Sequence, residues 1–185
     1  MSANRSAAEL LRMYFGMLHQ YLDGTLMGVT NGQYLFDPSP RVAPIAGQYV
    51  HIVASEDWLI NVKAKGGAPL MATTFAGRTG FAGAPPLVGW ADWARETAID
   101  TDAVHKYAQA VYAATDAYLA SITDDDLSKI VDMTEAGQGI VPTSAVIGLA
   151  LVNGALHLGE ISTLKGLQDL VGYPTGEVEP ETAAA

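Results

Sequence analysis

A chain of 185 residues with 49% hydrophobic and 16% charged residues can build one domain with a buried core, which excludes a disordered polymer. With 20 acidic against 10 basic residues, a net charge of -10 and no Lys/Arg cluster, it lacks the patch that nucleic acid or an anionic membrane surface requires. The absence of cysteine excludes disulfides, thiolate metal sites and a cysteine nucleophile.

The chain opens without the apolar segment of a secretory signal. The longest uncharged apolar run, from Ile140 to Leu158, is broken by Pro142, Asn153 and His157. The expectation is a soluble cytoplasmic protein. Ser6-Ala-Ala-Glu9 is a capping box, and Leu10, Leu11, Tyr14, Phe15, Leu18, Leu22 and Leu26 follow at helical spacing. This first helix fades near Gly28, with His19 as a helix-flank residue and not a ligand.

Pro44 fits the first turn of a second helix that runs to about Lys63 and stops at Gly66-Gly67. Its stripe by fours and threes is Gly47, His51, Ala54, Trp58 and Val62, which places a histidine mid-face. Glu56 and Asp57 lie off the stripe and read as solvent-facing charge. From Gly66 to Gly89 no period holds and glycine and proline are frequent, so a long loop is expected, folded back over one end of the bundle or into a subunit contact. Trp90 and Trp93 open a short helical turn as core anchors.

Asp100-Thr-Asp102 caps a third helix, whose inner face is Val104, Tyr107, Val111, Tyr118 and Ile122. Thr123-Asp-Asp-Asp126 reads as a further cap. Pro142 opens a fourth helix that Gly172 and Pro174 would stop. Along it Val146, Ala150, Asn153, His157, Glu160, Leu164, Leu167 and Val171 share one face, while Ile147, Leu149, Leu151, Val152, Leu156 and Leu158 make the other faces apolar. A helix apolar on all sides is a buried one, so Asn153, His157 and Glu160 are expected inside, each needing a partner. No strand pattern of any length is visible. The fold class is all-α: an antiparallel four-helix bundle with a long Gly/Pro-rich loop between helices 2 and 3. Residues 1–174 form a single domain, and 175–185 an acidic, Ala-rich flexible tail.

The specific signals are Val50-His51-Ile52-Val53 with Glu56 and Trp58, and the run from Asn153 through His157, Gly159, Glu160 and Ile161 to Gln168. In this order of helices they resemble the DinB-like family, damage-inducible-type bundles related to mycothiol-dependent maleylpyruvate isomerases and bacillithiol transferases. The resemblance covers about residues 6–174. It implies a divalent metal, most often zinc or nickel, on three histidines: one from helix 2 and two from helix 4 as His-x-x-x-His. Carried over, the ligands fall on His51, His157 and Asn153, and the asparagine departs from the family pattern. Residues four apart share a helix face, so two ligands can reach one ion, and imidazole suits these metals. An amide oxygen is a weaker and harder ligand. Glu160, one turn on, is placed either to substitute as a ligand or to accept from and orient an imidazole.

Two readings follow. In the first, the protein is a metal-dependent thiol transferase or isomerase acting on a small-molecule substrate with a low-molecular-weight thiol cosubstrate, its catalytic residues unassigned. In the second, it is a non-catalytic ligand-binding or dimerisation module whose metal site is degenerate and empty, with Asn153 in place of histidine. The resemblance also implies a homodimer.

Overall fold

The computed structural model describes residues 5–173. The tail expected at 175–185 lies outside the described residues. The protein is mostly helical. Ser6 starts α1 (Ala7–Leu26) by the capping box, its hydroxyl accepting from the Glu9 N–H while the Glu9 carboxylate accepts from the Ser6 N–H. The acidic run completes that end from a distance, since the Asp124 carboxylate accepts from the backbone of Ala7 and Ala8.

A single turn, α2 (Asn31–Tyr34), leads to α3 (Ile45–Glu56), which opens after Pro44 and continues as a wider π-helical stretch (Asp57–Ala64). The extent matches the expected second helix; the change of hydrogen-bond pattern does not, and it begins where Asp57 turns inward. After the 66–89 segment come α4 (Trp90–Glu96) and α5 (Thr101–Ser121), the latter capped by the Asp100 carboxylate. The last helix is α6 (Thr143–Gly166).

Four longer elements make most of the core. α1 packs against α5 and α6, and α3 packs against α6 and α5. Gly154 sets the closeness of α6 to α1, because a Cβ there would lie 2.6 Å from Leu18 Cδ2. The apolar interior forms two clusters. One centres on Leu22, Tyr49, Ile52, Tyr107 and Ile161, the other on Phe15, Ile60, Leu119, Met133 and Ile147. Leu70, Met71, Phe75 and Phe81 of the 66–89 segment pack against the first.

Two expectations on architecture are corrected. A short antiparallel hairpin, β1 (Ile130–Met133) with β2 (Gly139–Pro142), stands where no strand was expected, in the register Ile130↔Pro142 to Met133↔Gly139. Strands of four residues carry too little alternation to be legible. What fixes them is tertiary: Met133 is fully buried in the second cluster, and Lys63 pairs with Glu135 and reaches the Asp132 carbonyl. The other correction is that α6 ends at Gly166, not at Gly172. Asp169 takes a left-handed φ of 57, so that the Leu170 N–H bonds the Lys165 carbonyl and the Asp169 N–H bonds that of Gly166. This closure normally uses glycine or asparagine, which is why aspartate did not signal it.

Candidate metal centre

His51 stands on α3, and Asn153 and His157 stand one turn apart on α6, the helix that packs most extensively on α3. The structure brings all three together. The two imidazole rings lie 4.7 Å apart between centroids and nearly perpendicular, at 82°. His157 Nδ1 is 2.7 Å from Glu160 Oε2. A carboxylate there accepts a hydrogen bond from Nδ1–H, the tautomer in which the lone pair sits on Nε2. Burial pushes His51 down to about 4, the neighbouring His157 adds to this, and the Asn153 side chain works against it. His51 is therefore neutral at pH 7, the form in which imidazole coordinates a metal.

The expected burial of this group is corrected in part. Asn153 and His157 are half-buried, but Glu160 is exposed. So are Leu149, Val152 and Leu156, because among the described residues no other element covers that face of α6. Apolarity on all sides of a helix does not say which side is covered.

Trp90, expected as a core anchor, belongs to the site instead. Its indole stacks on His51 at 4.1 Å and 14° and meets His157 edge-on at 5.4 Å. Trp93 does act as an anchor, half-buried against Phe81 and the first core cluster. The sequence carried no signal for the difference, since both tryptophans share one short helix.

The reading of Glu56 and Asp57 as surface charge is overturned; both are fully buried. α3 is enclosed on nearly all sides, so positions off the His51 stripe are inside as well. Glu56 accepts from Thr115 Oγ1 at 2.6 Å and lies 3.0 Å from His19 Nε2, and His19 stacks on Tyr112. His19 is thus a core partner of a carboxylate, not a helix-flank residue. Asp57 accepts from Asn61 Nδ2, the backbone N–H groups of Leu70 and Met71, and the Tyr107 hydroxyl at 2.6 Å. It pins the start of the long segment to α5. Burial first, then the charge of Asp57, keeps the Tyr107 hydroxyl protonated far above the ordinary range.

Two surface grooves, of about 720 and 1050 Å³, lie elsewhere. The smaller is walled by Met71, Gly80 and Phe81 of the 66–89 segment, the larger by Asp23, Tyr34, Asp100 and His105 between α1 and α5. The space around His51 is filled by aromatic rings. Among the described residues no group of three or more His, Cys, Asp or Glu side chains gathers as a ligand set. The donors at His51 are two imidazoles and one amide.

No curated protein matches this chain. Among solved structures, the crystal structure of a conserved protein from Enterococcus faecalis is similar to it, with a TM-score of 0.72 at 17% identity over 86% of this chain and 95% of that one. At that identity the likeness speaks for the fold. The family model described as the DinB superfamily matches residues 15–161, and this chain belongs to that superfamily.

Proposed function

We propose that this protein holds a divalent metal ion, zinc or nickel, on His51 and His157 with the Asn153 amide oxygen as the third donor. The observation that carries the reading is the meeting of two imidazoles from two helices, one of them with its Nδ1 engaged by Glu160 so that Nε2 is free. The donor set suits a borderline ion, held less tightly than by three imidazoles. When bound, the ion would supply a Lewis-acid centre that lowers the pKa of water or of a low-molecular-weight thiol. His51 presents a neutral nitrogen, Asn153 orients His51, and Glu160 orients His157. The activity that fits is thiol transfer or isomerisation of a small molecule, with the thiol brought by the cosubstrate because the chain has no cysteine.

Elemental analysis of untagged protein before and after dialysis against zinc and nickel tests this. The expected result is about one ion per chain, lost in His51→Ala and in His157→Ala, with Asn153→His binding tighter by tenfold or more, roughly the value of a ligand-shell change. No ion under any condition refutes it. That result would support the second reading, a non-catalytic module with a degenerate site, which the amide at Asn153 favours because asparagine satisfies both donor and acceptor needs without a metal.

Our reading of the architecture is an antiparallel four-helix bundle in a single domain, residues 1–174, with the Gly/Pro-rich segment between the second and third long helices. It is supported by the packing of α1 and of α3 against both α5 and α6. α6 is long and apolar enough to cross a membrane by length and composition. Its inner residues Val146, Ile147, Ala150, Ile161 and Leu164 are buried in the protein, which supports a helix of the protein core over a membrane span.

The partner we propose is a second copy of this chain, on the outer faces of α1 and α6. Leu10, Met13, Tyr14, Met17 and Tyr21 of α1 are exposed, as are Leu149, Val152 and Leu156 of α6, and no charged residue occurs from Thr143 to Gly159. Their exposed area is on the order of 800 Å² per copy, that of a standard two-protein interface. With a net charge of -10, an uncharged face is where two copies meet with the least local repulsion. Sedimentation equilibrium should give a dimer that Met17→Glu with Leu156→Glu converts to monomer; a monomeric parent at tens of micromolar refutes it.

A further inference from the structure

α4 and α3 meet through two matched pairs. Gly47 faces Ala94, and four residues along each helix His51 faces Trp90. The helices run antiparallel there, so the first contact sets the second. The approach at Gly47 is closed to any side chain, since a Cβ would lie 2.6 Å from Ala94 Cβ. Beyond Ala94, the Arg95 guanidinium donates to the carbonyls of Ser39 and Val42 and to Asp37, which fastens this half of α4. The other half begins at Trp90, after Gly89 with φ of 77 and the exposed pair Leu87 and Val88. The indole is half-buried and rests on His51 and His157, outside the apolar clusters that hold Trp93.

A stacked indole has a defined effect on an imidazole. The lone pair on one nitrogen of neutral His51 and the N–H on the other both lie in the ring plane, so a ring on its face leaves them free. It does stop rotation about the Cβ–Cγ bond, and it shields that face from solvent. We infer that Trp90 is a positioning residue for His51: seated through the Gly47–Ala94 contact, it fixes the imidazole plane toward Asn153 and His157 and covers the pair on the α4 side. The inference rests on the reading of His51 as a functional group, and it adds a third helix to the site. A residue that only filled the core would stabilise the protein without any special effect on one histidine.

The test is carbethoxylation of the metal-free protein by diethyl pyrocarbonate, followed residue by residue by mass spectrometry, with exposed His105 as the internal reference. The expected result is slow reaction of His51 in the parent. In Trp90→Ala its rate rises about five- to tenfold, the ratio to which a stacked aromatic pair's contribution converts, with His105 unchanged. Trp90→Phe restores the slow rate, and Gly47→Ala, which touches neither ring, mimics Trp90→Ala. An unchanged His51 rate in Trp90→Ala overturns the inference, as does an equal rise at His105 or no rescue by phenylalanine. The same variants are then titrated with nickel. Affinity in Trp90→Ala is expected to fall about tenfold, with recovery in Trp90→Phe. Should the parent take up no ion, the metal reading fails while the carbethoxylation rates still decide the role of Trp90.

Discussion

Two faces of one helix bury polar groups in opposite ways. Toward α5 and α1, the α3 element and its π-helical continuation carry Glu56 and Asp57, each closed by donors from other elements. Toward α4 and α6 the same helix carries His51, stacked on Trp90 and beside His157, with the Asn153 side chain as the one hydrogen-bonding partner of its ring among the described residues. A fully satisfied buried network fixes structure. A half-satisfied one has bonding capacity to offer a ligand. Burial and polarity alone do not separate the two; the count of partners does.

This contrast can be broken by mutation. The largest effect is expected on the satisfied side. Asp57→Ala strands the donors of Asn61, Leu70, Met71 and Tyr107 in the interior, and urea unfolding should show a loss of about 3–5 kcal/mol, the range for removing one partner of a buried charged network. His51→Leu with His157→Leu should stay within about 1 kcal/mol of the parent in the same experiment, because few internal bonds are lost. Equal losses on both sides would erase the distinction.

A smaller effect sharpens it through pH. His51 is held at about 4 in the fold against an ordinary 6.5. Between these values the unfolded chain carries a proton that the folded chain does not, so stability rises with pH across the window and is lost on acidification. For a half-buried group screened by solvent the span is about 2 kcal/mol. Denaturation midpoints of the metal-free protein from pH 7 to 4 should follow this slope in the parent and lose it in His51→Leu.

The smallest expected change lies away from both faces. Lys165 on α6 is buried and donates to the Thr25 carbonyl at the end of α1, a helix without a basic residue in its own last turn. Lys165→Met should cost about 1 kcal/mol in urea unfolding, the value of a charge at a helix C-terminus. No change would show that α1 needs no such cap.

Local rules were enough for much of the chain. The Ser6–Glu9 capping box, the Asp100 cap and the spacing of apolar residues determine the long helices, because caps and 3.6-residue periodicity act within one turn. The stripes holding His51 on one helix and Asn153 and His157 on another were legible for the same reason. Only tertiary structure decided which sides of those helices are covered. It turned Glu56 and Asp57 inward, because α3 is enclosed on nearly all sides, and left Leu149, Val152 and Leu156 exposed, because no described element packs on that face of α6. It also assigned two tryptophans on one short helix to different tasks, since Gly47 lets α4 approach where Trp90 meets His51 while Trp93 meets the core. Periodicity encodes the phase of a helix, but the neighbour that fills each phase is set by contacts between residues far apart in the chain.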